Sequence, residues 1–175
     1  HWADHLTDIL NRLRNLARPP KDERKPVNVN DILHDVLTLS SKLLSQQNIQ
    51  VQENLDTDLP PTIGSARMLE ELFMNLVMNA KDAMPEGGKL TISTRRRDSD
   101  IEVRVEDTGT GMSPEVRERL FEPFFTTKGE QGSGLGLNIS RQIVVDHSGQ
   151  ILVESEEGRG STFIVRLPIA TAETS

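Results

Sequence analysis

Leu90, Ile92 and Thr94, then Ile101, Val103 and Val105, occupy every second position on either side of Asp98-Ser99-Asp100. Alternation with period two around a polar turn is what an antiparallel hairpin with one buried face requires. A second hairpin closes the chain, with Ile151-Leu152-Val153 and Phe163-Ile164-Val165 joined through a Glu-Glu-Gly-Arg-Gly turn and ending at Pro168. Hairpin strands must bury a face, and the remaining periodic segments are helical. Ile32, Leu33, Val36, Leu37, Leu39, Leu43 and Leu44 recur at steps of three and four after Asn30, which reads as an N-cap. Ile49 and Val51 then alternate as a short strand. Ser65 caps a further helix carrying Leu69, Leu72, Phe73, Leu76, Val77, Ala80 and Ala83, which Pro85 to Gly88 terminates. A short helix over 113–120 and another over 137–147 follow. The expected fold is α/β, a two-layer sandwich with a mixed sheet and helices on one face.

Residues 4–17 form one more amphipathic helix, with Leu6, Ile9, Leu10, Leu13, Leu16 and Ala17 on its apolar side. Residues 17–26 stop it, because three prolines and six charges in ten residues suit neither a helix nor a buried strand. The expected organisation is a helix fragment over 1–18, a linker over 19–26, the main domain over 27–170 and a tail over 171–175. The net charge is −7 and only six residues are aromatic, which argues against a phosphate-backbone partner or a base-stacking surface. There is no Cys, so thiol catalysis, disulfides and Cys-ligated metals are excluded. No apolar run approaches the ~20 residues of a membrane-spanning helix.

Four stretches carry candidate chemistry. Glu71, Asn75 and Asn79 follow one another at steps of four on the Ser65-capped helix, with Asp82 three later, so they share a face. Amide and carboxylate oxygens on one face suit Mg²⁺, which takes few protein ligands, although such a stripe is also the ordinary solvated side of a helix. Asp107-Thr108-Gly109-Thr110-Gly111 leaves the end of the valine-alternating strand. There a carboxylate can accept a hydrogen bond from an exocyclic amine while glycines let backbone approach a flat ring; the same residues also make a plain turn. Gly129 to Leu137 holds four glycines in eight residues and opens into a helix, so its N–H groups suit phosphate, with Lys128 adjacent as a point charge. Phe121-Glu-Pro-Phe-Phe-Thr-Thr-Lys128 holds half of the aromatics and reads equally as a hydrophobic plug.

Taken in order, Asn75-Leu-Val-Met-Asn79-Ala, Asp107-Thr-Gly-Thr-Gly111, Phe121 to Lys128, Gly132-Ser-Gly-Leu-Gly-Leu137 and Gly158-Arg-Gly-Ser-Thr-Phe163 resemble the N, G1, F, G2 and G3 boxes of sensor histidine kinases. The Phe box looks most like the nitrogen-regulation type. The resemblance implies the Bergerat ATP-binding sandwich and the cofactors ATP and Mg²⁺. It implies that Asn79 ligates Mg²⁺ with Asn75 in support and that Asp107 accepts a hydrogen bond from the adenine amino group. Gly109 and Gly111 would line the ring, and Thr162 would close the pocket. Gly132, Gly134, Leu135, Gly136 and Leu137 would form a lid and helix start over the phosphates, with Lys128 as a phosphate contact. Relatives carry a base at Asp82, so it receives no phosphate role.

In the gyrase and chaperone branch of the same superfamily a Glu stands four residues before the metal Asn and activates water. Here that position is Asn75, and an amide is no general base. This favours transfer to a protein side chain, leaving Glu71 as a base or orienting group. None of the four His residues is followed by the acidic residue and Pro expected of a phosphoacceptor, so that His is expected upstream, on a dimerisation domain whose second helix ends in residues 1–18. The implied function is transfer of the ATP γ-phosphoryl to that His. Implied partners are the chain's own dimerisation and phosphoacceptor domain, a second copy forming a homodimer, and a response regulator, with no nucleic acid. The domain would be cytoplasmic, in a parent protein with or without a membrane anchor. The alternatives are an ATP-driven conformational clamp and an inert ATP-binding module.

Overall fold

A computed structural model describes residues 2–17, 24–123, 125 and 136–171. Helix α1 spans Trp2–Ala17 and is followed by β1 (Lys25–Val27), α2 (Val29–Gln46), β2 (Ile49–Asn54), β3 (Thr62–Gly64) and α3 (Ala66–Asp82). Then come β4 (Gly88–Arg97), β5 (Asp100–Asp107), α4 (Pro114–Arg119), α5 (Gly136–Asp146), β6 (Gln150–Glu156) and β7 (Gly160–Pro168).

Five strands form one mixed sheet in the order β2-β4-β5-β7-β6. β4–β5, β5–β7 and β6–β7 are antiparallel, and β2 runs parallel to β4. A parallel pair needs a crossover, and β3 with α3 supplies it. Both expected hairpins are present. The small β1–β3 ladder was not expected: Pro26 sits in it, paired with Ile63, within the stretch read as linker. A proline fits there because β1 has a partner on one side only.

The period-two pattern places Leu90, Ile92, Ile101, Val103, Val165 and Leu167 on one sheet face, all with no exposed surface. Leu33, Val36 and Leu44 of α2, Leu69, Leu72, Phe73 and Leu76 of α3, and Val144 of α5 cover that face and are likewise shut off from solvent. The fold is therefore the expected α/β two-layer sandwich. Ser65 caps α3 by accepting from Met68 N at 3.2 Å, as its sequence position indicates. At α2 the cap is Asn28 instead of Asn30. Asn30 is the second residue of the helix, where its Nδ2 donates to Asp56 O at 2.7 Å and its Oδ1 accepts from Thr94 Oγ1 at 2.9 Å, tying α2 to the sheet. Both residues are amides capable of capping, and only the tertiary contact to Thr94 decides between them.

His147 follows α5 and is buried against the start of α3. Its Nε2 accepts from Ser65 N at 3.1 Å and its Nδ1 donates to Ile143 O at 2.7 Å. Burial, the largest effect, depresses its pKa; the bond to Ile143 opposes this, the Arg24 charge adds to it, and Asp146 opposes it. Among the described residues no helix covers the other sheet face. On it Glu102, with no exposed surface, receives Arg95 Nε at 2.9 Å and Arg166 Nε at 3.0 Å, with Arg97 and Arg104 each at 3.8 Å.

Candidate functional site

The sheet and α3 meet at the end of β5. Asp107 is the last residue of that strand and belongs to the face that packs on the helices, so its carboxyl is only 5% exposed. It accepts from Gly109 N at 2.9 Å and from the backbone N–H of Ser161. Burial raises its pKa most, the two N–H groups counter it, and neighbouring Glu106 adds to the rise, leaving the carboxyl above the usual carboxylate range. A half-desolvated acceptor with two of its lone pairs fixed by backbone is well made to take one more donor, such as an amine.

The loop after Asp107 hangs between α3 and the β6–β7 turn. Thr110 N donates to Ala83 O at 3.0 Å, Gly158 N to Thr110 O at 2.7 Å, and Met112 N to Ser155 Oγ at 2.8 Å. A Cβ on Gly109 would run into the Ala83 carbonyl. Gly111 has φ of +68°, and a Cβ there would strike the Glu156 carbonyl. Both glycines are thus required by the packing of the loop itself, a reason that the sequence pattern does not reveal.

Asn75 and Asn79 lie half-buried on α3, one turn and two turns after half-buried Glu71. Asn79 O accepts from Ala83 N at 3.1 Å, so its helical turn leads directly into the residue that holds the Asp107 loop. Asn75 Nδ2 donates to Gly136 O at 3.4 Å, reaching the first residue of α5. This leaves the Asn75 carbonyl oxygen for other donors or for a hard cation. Asp82 is exposed, beyond the end of this face. Among the described residues no group of three or more His, Cys, Asp or Glu side chains could hold a metal, so a cation here would rest on amide oxygens and on its own ligand's oxygens.

Leu137 packs its side chain against the core, so only its backbone is available to a ligand. Gly136 lies next to α1, where a Cβ would meet Arg12 Nη1 at 3.6 Å. Lys128, Gly132, Gly134 and Leu135 lie outside the described residues.

The register separates two neighbouring hydroxyls. β7 pairs Ser161 with Asp107, and Thr162 with Glu106 and Glu154. Neighbours in one register row share a face, so the hydroxyl beside Asp107 on the helix side is that of Ser161, and Thr162 faces the opposite side. A two-hydroxyl sequence, Ser161-Thr162, cannot be resolved without knowing the strand's phase. Ser155 was also missed. Its Oγ lies 2.8 Å from Ser161 Oγ and 3.2 Å from Gly160 O. Asp107, Ser155, Ser161 and Thr162 are among the residues lining a cavity of about 410 Å³ at this end of the sheet, which does not extend to Asn75 or Asn79.

Residues 64–171 match the model of a family described as histidine kinase-, DNA gyrase B-, and HSP90-like ATPase. Sporulation kinase E of Bacillus subtilis (strain 168) is 36% identical over 165 residues, covering 94% of this chain and 22% of that protein. The catalytic domain of histidine kinase ThkA superposes with a TM-score of 0.76 at 33% identity, covering 84% of this chain and 96% of the other. Full-length ShkA in complex with AMPPNP gives a TM-score of 0.85 at 28% identity over 98% of this chain and 36% of that one. The chain thus spans about a fifth of the length of the sporulation kinase. Its fold is that of histidine kinase catalytic domains.

Proposed function

Because the chain belongs to the histidine kinase-, DNA gyrase B-, and HSP90-like ATPase family, we propose that it is the MgATP-binding catalytic domain of a sensor histidine kinase, which transfers the γ-phosphoryl group to a His on a dimerisation domain outside this sequence. The observation that carries the reading is Asp107, a buried carboxyl with two backbone donors already in place and a loop clamped to the helix that bears Asn75 and Asn79. An adenine amino group supplies the remaining donor, and Ser161 stands beside it. Asn79, with Asn75 in support, would hold the cation through amide oxygen. Bound there, Mg²⁺ would supply charge neutralisation for the phosphate groups.

The protein's own contribution is then positioning and electrostatics. Asp107 fixes the base, and the α3 amides fix the phosphate end. Glu71, a turn before Asn75, is an orienting group for the incoming imidazole. Asn75 cannot take a proton from water, which favours a protein acceptor over hydrolysis. Helix α1 is the end of the dimerisation helix, and its exposed Leu6, Leu10 and Leu13, at steps of four and three, are the face that a second copy covers. A response regulator is the downstream partner. Among the described residues no helix is long and apolar enough to cross a membrane.

The test is incubation with γ-labelled ATP and a separately produced dimerisation domain bearing the acceptor His. Acid-labile label on that His supports the kinase. Rapid phosphate release without label supports a conformational clamp, and nucleotide binding with neither supports an inert module.

A further inference from the structure

We infer that Ser155, on β6 and away from every sequence box, is a positioning residue that sets the geometry and the base preference of the Asp107 pocket. The inference rests on the nucleotide reading of that pocket. A serine hydroxyl has one proton and two lone pairs. At Ser155 one lone pair is taken by Met112 N–H at 2.8 Å, which anchors the far end of the loop that starts at Asp107. The proton has two candidate acceptors, Gly160 O at 3.2 Å and Ser161 Oγ at 2.8 Å.

The two arrangements have opposite consequences for the pocket. If Ser155 donates to Gly160 O, Ser161 donates to Ser155 and turns lone pairs toward the space beside Asp107. If Ser155 donates to Ser161, the Ser161 proton is released toward that space. The first arrangement adds an acceptor next to the Asp107 carboxylate and suits a base edge that presents an amino group. The second suits a base edge that presents a carbonyl. The first arrangement is favoured because it spends both hydroxyl protons on contacts present in the fold, Ser155 to Gly160 O and Ser161 to Ser155 Oγ, whereas the second takes that donor away from Gly160 O. Ser155 therefore joins two tasks through one oxygen: it holds the loop in place and it lets Ser161 act as an acceptor alongside Asp107.

The surrounding contacts show why one hydroxyl matters. Loop residues 109–111 are wedged between the Ala83 and Glu156 carbonyls, and Gly158 N grips Thr110 O at 2.7 Å. Met112 N is the last backbone group of this loop before the Ser113 cap of α4, and a side chain satisfies it. Without that bond the chain from Gly111 to α4 loses its tie to β6.

The experiment compares the unmodified chain with Ser155→Ala, Ser155→Cys and Ser155→Thr, alone and with Asp107→Asn, using MgADP and MgGDP in titration calorimetry. Thermal melts establish that each variant is folded, and the Cys variant, close in size to Ser but a weak acceptor, stands in should the Ala variant fail. Ser155→Ala and Ser155→Cys are expected to weaken MgADP binding at least fivefold, to narrow the MgADP-over-MgGDP preference and to speed hydrogen exchange at Met112 N at least tenfold without nucleotide. Ser155→Thr keeps the hydroxyl and restores each readout to within twofold. In the Asp107→Asn background, Ser155→Ala is expected to change MgADP affinity less than twofold. Full multiplication of the two effects, or an unchanged base preference in a folded Ser155→Ala chain, overturns the inference. Equal protection of Met112 N in both chains overturns the positioning by Ser155 alone, whereas MgADP affinity indifferent to Asp107→Asn overturns the nucleotide reading and the base preference with it.

Discussion

Replacing His147 by Leu removes both ring nitrogens at similar volume and makes the stability of this fold measurable at one point. Ser65 is 1% exposed, and its N–H then loses the ring nitrogen that accepts from it at 3.1 Å. Losing that acceptor at a buried donor costs about 1–3 kcal/mol. Loss of the Nδ1 bond adds about 1 kcal/mol at most, since Ile143 O still accepts the backbone N–H of residue 147 at 3.1 Å. The expected loss is about 1–4 kcal/mol, which for a domain of this size lowers the melting temperature by roughly 2–16 °C.

The same residue gives a pH signature. Burial holds the folded-state pKa of His147 below the ordinary imidazole value of 6.5, so between the two values the unfolded chain binds the extra proton. Stability is then fully present above the unfolded pKa and falls as pH drops below it. With a ring that stays neutral in the fold, the most that going from pH 7.5 to 5.5 can cost is about 1.4 kcal/mol, which is RT ln 10. Protonation inside the fold would aim Nε2–H at Ser65 N–H, donor against donor. Urea unfolding of the unmodified chain and of His147→Leu at both pH values checks this. The difference between them is expected to shrink at pH 5.5 by about that amount. Parallel loss of stability in the two proteins would refute the assignment of the titration to His147.

Asp107→Asn is expected to weaken MgADP binding about 10- to 100-fold, the worth of a hydrogen bond to a charged group, in the same calorimetric titration. Because burial raises the Asp107 pKa, its ionised form costs the empty fold some stability, and the same variant without nucleotide should melt no lower than the unmodified chain. Glu102 has the opposite sign. Burial raises its pKa, but hydrogen bonds from Arg166 and Arg95 outweigh that and leave it lowered, so its contribution is present above the unfolded pKa and disappears as pH falls through the folded value. Acid unfolding followed by circular dichroism should therefore start at higher pH in Glu102→Gln, with a loss of about 1–2 kcal/mol at neutral pH, because the arginines left behind are 23–60% exposed and water still solvates them. Gly111→Ala, at φ of +68° and against the Glu156 carbonyl, should cost more than ~1 kcal/mol and broaden the amide resonances of the 108–112 loop.

The elements that sequence made legible are those whose signal is local and repetitive. The hairpins, the α3 stripe and its Ser65 cap announce themselves within a few residues, and the position of Asp107 at a strand end follows from the valines before it. What sequence hid depends on contacts between distant segments. β1 and β3 are three residues each, too short for a period, and pair across a gap of more than 30 residues. Asn28 and Asn30 have the same capping chemistry and are sorted by Thr94, which is 64 residues from Asn30. Ser161 and Thr162 differ in function only through the phase of β7 against β5. Ser155 has no motif at all, since its role is to accept one N–H from a loop 43 residues earlier.

The ring of arginines on the uncovered sheet face bears on how this molecule behaves at high concentration. A two-layer sandwich leaves one face of its sheet bare, and bare sheets stack on each other about 10 Å apart. Ile164, buried on that face, stands opposite Arg104 in β5 and Leu152 in β6, so the apolar material for stacking exists. Glu102 draws guanidinium groups from β4, β5 and β7 inward over this strip, and their like charges repel the same strip on another copy. One buried carboxylate thereby gathers four guanidinium groups over the open side of the sandwich, and their shared charge opposes stacking of that face on another copy.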